Sequence, residues 1–127
     1  MKVCFSGFGK MAREVHALAA VDSFFETVSI LDPALPRVPG VLVTASPQEA
    51  FAPADLVFDF SVASACAQNA PVAASLGKRL VIGTTGLAPE AVEGIRAALK
   101  QANSSGVVSA NFSVGVSIFI EAAKLLE

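Results

Sequence analysis

Residues 2–12 have the sequence Lys-Val-Cys-Phe-Ser-Gly-Phe-Gly-Lys-Met-Ala, and the prediction of the fold starts from them. Its apolar, β-favouring start at residues 3–5 leads into two glycines, Gly7 and Gly9. An amphipathic stretch follows at once, with apolar residues at helical spacing. We therefore predict a strand, a tight turn and a helix. The apolar positions of that helix are Met11, Val15, Leu18 and Ala19.

A glycine turn in this position is typical of dinucleotide-binding sites. Gly7 would permit the sharp turn, Gly9 would let a pyrophosphate approach the backbone, and Ala12 would let the helix lie close to the strand. The free N–H groups and the positive dipole end of the helix would face the phosphates. The alternative is an ordinary strand-to-helix turn that binds nothing.

Composition narrows the class of protein. The 127 residues suffice for one domain with its own core. Mean hydropathy is +0.63, as expected where parallel strands are buried on both faces. No apolar run reaches the roughly 18 residues that a membrane span needs, and no signal peptide precedes the first strand. We expect a cytoplasmic protein without a membrane segment.

The charge and the reactive side chains argue against a nucleic-acid-binding protein, a disulfide-linked protein and a metalloprotein. The net charge is −2 and the nine lysines and arginines are scattered, which argues against nucleic-acid binding. Cys4 and Cys66 are expected to be small buried residues in a reducing compartment rather than a disulfide. His16 has no companion at metal-ligand or triad spacing and is expected on the surface or half buried, so we predict no metal site.

Strands and helices alternate along the rest of the chain. This pattern predicts one α/β domain, residues 1–127, with a doubly wound parallel sheet and helices on both faces. Ser61 is expected to cap the helix after the third long strand, Gly77 to end it, and Pro89 to open the next one. We predict strands at 26–31, 41–43, 55–60, 79–82 and 106–110, and helices at 11–21, 47–51, 62–76, from 89 onward, and 114–127.

Asp32 ends the second strand, 23 residues after Gly9. That interval is close to the one at which this kind of unit places a carboxylate on the adenosine ribose. A carboxylate accepts hydrogen bonds from a 2′,3′-diol and repels a 2′-phosphate, so Asp32 favours NAD. Arg37 could soften that preference by meeting a phosphate. Alternatively, Asp32 only forms the turn before Pro33.

The loop Gly83-Thr84-Thr85-Gly86 follows another buried strand. In a doubly wound sheet, a loop at the carboxyl end of a strand borders the ligand crevice. Its hydroxyls and free backbone groups could hold a flat ring and a carboxamide. The alternative is a loop that only caps the next helix.

Four motifs carry a family resemblance. The chain resembles the N-terminal, Rossmann-type domain of dihydrodipicolinate reductase, also called 4-hydroxy-tetrahydrodipicolinate reductase, over essentially its whole length. The family acts in diaminopimelate and lysine biosynthesis. The motifs lie at residues 7–12, 59–61, 81–87 and 109–116.

The resemblance implies a reductase that moves hydride from NADH or NADPH, with NADH favoured by Asp32, to a cyclic imine-type dicarboxylate. It implies that the glycine turn holds the pyrophosphate and Asp32 the adenosine ribose. It also implies that two later loops hold the nicotinamide half. The implied cofactor-binding residues are Gly7, Phe8, Gly9, Lys10, Met11, Asp32, Gly83, Thr84, Thr85, Ser109, Ala110, Asn111 and Phe112.

The chain departs from the family pattern in two ways. The glycine loop is one residue shorter than usual, with Lys10 in place of an arginine and Ala12 in place of a glycine. The family's second domain, which binds the small-molecule substrate and supplies the proton, has no counterpart here. We therefore assign no catalytic residue and expect this chain alone not to turn over.

Two functions remain open from the sequence. The chain is either the cofactor domain of such a reductase or a stand-alone nucleotide-binding regulatory module. The last predicted helix is apolar on more than one side, which is unusual for a free-standing module. We therefore expect self-association. The apolar residues are Val116, Ile118, Phe119, Ile120, Leu125 and Leu126.

Overall fold

A computed structural model describes residues 1–124, with five helices and six strands. Residues 125–127, the predicted end of the last helix, lie outside the described residues. The elements are β1 (Lys2–Ser6), α1 (Lys10–Val21), β2 (Glu26–Leu31), β3 (Leu42–Thr44), α2 (Pro47–Phe51), β4 (Leu56–Asp59), α3 (Ala63–Ser75), β5 (Arg79–Ile82), α4 (Pro89–Gln101), β6 (Gly106–Val108) and α5 (Val114–Lys124).

The six strands form one parallel sheet in the order β3-β2-β1-β4-β5-β6. The chain starts in the middle, winds outward to β3, and then returns to β4 to wind outward on the other side. The predicted doubly wound, Rossmann-type fold is confirmed. The winding reverses between β1 and β4, which is where such sheets open a crevice at their carboxyl edge.

Helices cover both faces of the sheet. On one face α2, α3 and α4 bury apolar side chains against the strands, including Phe51, Cys66 and Ile95. On the other face α1 packs through Ala12 and Ala19 onto Phe5 and its neighbours. The strand residues alternate between these two layers, as the period of a strand requires.

Several local predictions are confirmed. Gly77 follows α3 with a φ of +73°, and Pro89 is the first residue of α4. The predicted helix at 47–51 coincides with α2, at whose start the Ser46 side chain accepts a hydrogen bond from the Glu49 N–H at 3.4 Å. Turn and cap chemistry therefore indicated these element boundaries correctly.

Two local predictions are wrong. Ser61 does not cap α3, because the helix begins one residue later, at Ala63, with Val62 as its N-cap; the Ser61 side chain lies toward Asp59 and donates to its carboxylate at 2.7 Å. The apolar face predicted for α1 is also shifted, since Met11 and Leu18 are exposed. Small side chains are needed where this helix lies close to β1, and the larger ones turn outward.

The helix α5 makes no extensive contact with another helix or strand in the described part of the chain. Val114, Val116 and Ile118 on it are all exposed. The predicted apolar surface is therefore present for the described side chains, whereas those of Phe119, Ile120, Leu125 and Leu126 lie outside the description. No helix within residues 1–124 is long and apolar enough to cross a bilayer.

Candidate functional site

The glycine turn after β1 has the geometry that its sequence suggested. Gly7 has a φ of +78°, and a Cβ at this position would lie 2.7 Å from the Ser61 Cα. Gly9 is the N-cap of α1, and a Cβ there would meet nothing within 4 Å. No side chain caps α1, so its N-terminus beside the open face of Gly9 is a place where an anion could bind.

A cavity of about 470 Å³ opens beside this turn. We call it the turn cavity. Its walls come from the glycine turn, the end of β2, the loop after β4 and the start of α3. Its lining includes Ser6, Gly7, Phe8, Gly9, Asp32, Phe60, Ser61 and Asn69.

Asp32 lies on the wall of the turn cavity and already has two backbone partners. Its Oδ2 accepts from the Phe8 N–H at 2.7 Å, and its Oδ1 accepts from the Ala34 N–H at 2.8 Å. Asp32 therefore forms the local turn, as the alternative interpretation held. Each carboxylate oxygen has a second lone pair, so Asp32 can still accept from a ligand hydroxyl.

The Phe8 side chain belongs to the core rather than to the cavity. Its ring meets the Phe5 and His16 rings edge-on, at centroid distances of 6.3 and 5.4 Å. Arg13 packs its guanidinium over the same ring and donates from Nε to the Phe8 carbonyl at 3.1 Å. These contacts stabilise the glycine turn. His16 is half buried, and its ring packs against the Phe5 and Phe8 rings.

A second cavity of about 570 Å³ lies on the other side of the winding reversal. We call it the loop cavity. It is bounded by α1, the loop after β5 and the loop after β6. Its lining residues are Met11, Val15, Phe60, Ser61, Gly83, Thr84, Thr85, Ala110, Asn111, Phe112 and Ser113.

Phe60 and Ser61 line both cavities and separate them. The Ser61 backbone abuts Gly7 on one side. On the other side, a Cβ at Gly83 would overlap the Phe60 ring. The two glycines therefore allow the loops after β1 and β5 to close onto the loop after β4.

Asp59, the buried last residue of β4, binds side chains of the loops after β4 and β5. It is 1% exposed, and its Oδ1 accepts from the Ser61 N–H at 3.1 Å, the Ser61 hydroxyl at 2.7 Å and the Thr84 hydroxyl at 2.6 Å.

Burial, and then the nearby Asp59 carboxylate, raise the pKa of the Cys66 thiol to about 12. Burial likewise raises the pKa of the Cys4 thiol to about 11. Both cysteines are buried, as predicted, and both thiols are free and unreactive.

The structure brings most of the predicted site residues together. Gly7, Phe8, Gly9 and Asp32 line the turn cavity, whereas Met11 lies with the later loops rather than at the pyrophosphate turn. Gly83, Thr84, Thr85, Ala110, Asn111 and Phe112 all line the loop cavity.

Three polar residues considered from the sequence line neither cavity. Lys10 is exposed at the start of α1, and Arg37 is exposed in the loop after β2. Ser109 shapes the loop after β6 instead, donating to the Asn111 carbonyl at 2.7 Å. Within residues 1–124, no cluster of histidine, cysteine and carboxylate side chains could hold a metal ion.

Sequence reasoning missed Ser6, Phe60, Ser61 and Asn69 as lining residues. Phe60 and Ser61 could have been found, because they directly follow a buried strand whose carboxyl end faces the crevice. Ser6 carries the one buried side-chain polar atom that lacks a hydrogen-bond partner in the described chain. No sequence signal pointed to Asn69, which reaches the cavity from the second turn of α3.

The chain is similar to known proteins both in sequence and in structure. A family model described as "Dihydrodipicolinate reductase, N-terminus" matches residues 1–112. The 4-hydroxy-tetrahydrodipicolinate reductase of Methanosarcina barkeri is 48% identical over 77 residues, which cover 58% of this chain and 29% of that protein. The protein of the same name from Methanocaldococcus jannaschii is 43% identical over 72 residues, covering 57% and 26%.

Among solved structures, the fold is similar to a dipicolinate-bound dihydrodipicolinate reductase from Paenisporosarcina sp. TG-14. The TM-score is 0.83 at 22% identity, and the match covers 98% of this chain and 52% of that one. The chain thus matches less than a third of the length of these curated relatives and about half of the solved chain.

Proposed function

Since this chain belongs to the family of dihydrodipicolinate reductase N-terminal domains, we propose that it is the NAD(P)H-binding part of a 4-hydroxy-tetrahydrodipicolinate reductase. Such an enzyme would transfer hydride to a cyclic imine-type dicarboxylate in diaminopimelate and lysine biosynthesis. A cytoplasmic location would follow from that role.

The observation that carries the proposal is the pair of neighbouring cavities that share Phe60 and Ser61 in their linings. A dinucleotide consists of two nucleoside halves linked by a pyrophosphate. The two cavities lie on either side of the winding reversal, with the uncapped start of α1 beside their junction. This arrangement matches the shape and the charge distribution of such a ligand.

The turn cavity would hold the adenosine half. The open face of Gly9 would admit the pyrophosphate, and Asp32 would accept from a ribose hydroxyl with its remaining lone pairs. The carboxylate would repel a 2′-phosphate, and Arg37 lies outside the cavity lining. We therefore propose a preference for NADH over NADPH.

The loop cavity would hold the nicotinamide half. Gly83, Thr84 and Thr85 would bound it on one side, and Ala110, Asn111 and Phe112 on the other. Ser109 would act indirectly by fixing the Asn111 backbone, and Lys10 would contribute only its charge near the phosphates. When bound, the reduced nicotinamide supplies the hydride.

Hydride transfer also requires a substrate at reacting distance and a proton source. Among the described residues that line the loop cavity, none has an acidic or basic side chain. We propose that the substrate and the proton come from a second domain or chain, and that this chain alone is inactive. The exposed apolar side chains of α5 would then pack against that domain or against a second copy.

The test is a titration that follows the fluorescence of NADH, with NADPH in parallel. The chain contains neither tryptophan nor tyrosine, so protein emission interferes little. We expect saturable binding, tighter for NADH than for NADPH. Absence of binding to either cofactor by the folded chain would overturn the proposal.

Two variants locate the binding site. Gly9→Val places a branched side chain where the pyrophosphate would lie and should abolish binding. Gly94→Val is the matched control, since a Cβ at this position in α4 also meets nothing within 4 Å and Gly94 lines neither cavity. Equal affinities of the two variants would contradict the assigned site.

A further inference from the structure

Among the described residues, none of those that line the loop cavity is charged. Its wall is built from apolar, hydroxyl, amide and glycine residues. A ligand in this cavity would therefore be influenced by charges that lie behind the wall. Asp59 is such a charge, because two of its side-chain partners, Ser61 and Thr84, belong to the lining.

The Asp59 carboxylate is buried and has no cationic partner within residues 1–124. Its hydrogen-bond donors are the Ser61 N–H, the Ser61 and Thr84 hydroxyls and the Cys66 thiol, all of which are neutral. Neutral donors orient a carboxylate without cancelling its charge. At 1% exposure, solvent and salt screen that charge weakly.

The Cys66 thiol responds to the same charge. After burial, the neighbouring Asp59 carboxylate is the next largest cause that raises the pKa of this thiol. An anion that opposes the formation of a thiolate beneath the site also favours positive charge nearby. On the crevice side, the Asp59 carboxylate is hydrogen-bonded directly to Ser61 and Thr84, which line the loop cavity.

We propose that Asp59 biases the loop cavity toward the positively charged, oxidised nicotinamide ring and against the neutral, reduced ring. Asp59 then sets the relative affinity of the protein for the two redox states of its dinucleotide. This inference rests on the proposed function, since it requires a nicotinamide in the loop cavity. The charge acts through space, and Asp59 itself does not touch the ligand.

A purely structural role of Asp59 makes a different prediction. If Asp59 only ties Ser61 to Thr84, its loss weakens the binding of both redox states equally. A charge effect instead changes the ratio of the two affinities. For a charge several ångströms from the ring in a partly screened site, the change is on the order of three- to tenfold.

The experiment measures dissociation constants for NAD⁺ and NADH by isothermal titration calorimetry. Asp59→Asn keeps an acceptor oxygen for Ser61 and Thr84 but removes the charge, and Asp59→Ser is a second uncharged variant in case the first fails to fold. We expect both to shift the affinity ratio toward NADH by about three- to tenfold. Ser61→Ala keeps the charge and removes one hydrogen bond, so it should not shift the ratio toward NADH.

The outcomes separate this inference from the proposed function. If the unmodified chain binds neither redox state, the proposed function fails and the inference with it. If the unmodified chain binds both, and uncharged substitutions at position 59 leave the ratio unchanged, the inference alone is overturned. A ratio that shifts with Ser61→Ala as much as with Asp59→Asn would also overturn it, because the hydrogen bond rather than the charge would then be responsible.

Discussion

Gly7 and Ser61 meet so closely that a Cβ on Gly7 would lie 2.7 Å from the Ser61 Cα. Gly7 belongs to the turn after β1, and Ser61 to the loop after β4. Their contact lies where the winding of the sheet reverses, at the boundary between the turn cavity and the loop cavity. The shape of the candidate site therefore depends on the absence of one methyl group.

Gly7→Ala should destabilise the fold by more than the cost of its backbone conformation. A left-handed backbone costs a residue with a Cβ about 1–2 kcal/mol, and the overlap with Ser61 adds to this. Gly40→Ala is the matched control, because Gly40 has a φ of +75° with nothing within 4 Å of its Cβ position. Urea denaturation measures the free energy of unfolding of the two variants. Equal losses of unfolding free energy would show that the contact with Ser61 carries no energy.

Gly83→Ala should disturb both cavities by displacing the Phe60 ring, which a Cβ at position 83 would overlap. We expect weaker binding of NADH and also of ADP, which would occupy only the turn cavity. Phe60→Leu removes part of the ring and should partly restore ADP binding in the double variant. Independent, additive effects in this double-mutant cycle would contradict the coupling.

Ser6→Ala should stabilise the chain or leave its stability unchanged. The Ser6 hydroxyl is buried without a hydrogen-bond partner, and such a group costs about 1–3 kcal/mol. Thermal denaturation should show an equal or higher midpoint. The control is Ser29→Ala, which removes a buried hydroxyl that donates to the Ala50 carbonyl and should lower the midpoint.

Stability should fall as the pH rises above about 9. The folded chain keeps its cysteine thiols protonated, with pKa values of about 11 for Cys4 and about 12 for Cys66, against an ordinary value of 9.0. Unfolding between these values releases protons, so alkaline pH favours the unfolded chain. The stabilising contribution is fully present below the unfolded-state pKa.

Cys66→Ala isolates one thiol. Each thiol contributes a slope of up to about 1.4 kcal/mol per pH unit, so the variant should lose stability less steeply than the unmodified chain between pH 9 and 10.5. Urea denaturation at several pH values measures the difference. Parallel curves for the two proteins would contradict the burial of an un-ionised Cys66 thiol.

The exposed apolar side chains of α5 should drive association. Ile118→Lys on α5 introduces a charge at a position that is 64% exposed, and we expect it to shift the chain toward monomer in sedimentation velocity experiments. Val21→Lys is the control, since Val21 is also exposed but lies at the end of α1. A monomer at all concentrations in the unmodified chain would contradict this prediction.

Sequence patterns predicted the fold because the strongest local signals agreed with the global winding. The strands 26–31 and 79–82 coincide with β2 and β5, and Gly77 and Pro89 mark helix boundaries by backbone chemistry alone. Such signals are local, since one residue's φ or missing N–H determines them. They do not depend on distant partners.

The errors arose where the position of a residue in the assembled sheet overrides its local preference. Ser61 has the chemistry of a helix cap, but α3 begins one residue later and the Ser61 side chain lies at the carboxyl end of β4, where it donates to Asp59. Met11 has the spacing of a core residue, yet the buried positions of α1 are taken by alanines and Met11 is exposed. The role of Asn69 could not be predicted either, because its position in the lining of the turn cavity depends on where α3 crosses the crevice.

The junction at Phe60 and Ser61 also bears on how the chain folds. It is assembled from Gly7, Ser61 and Thr84, which lie on loops following three different strands. Bringing such distant segments together costs loop-closure entropy that a helix or a single turn does not require. A nascent or partly unfolded chain can therefore contain the glycine turn and every helix while lacking the crevice, so that recognition of a ligand marks the completed assembly of the whole sheet.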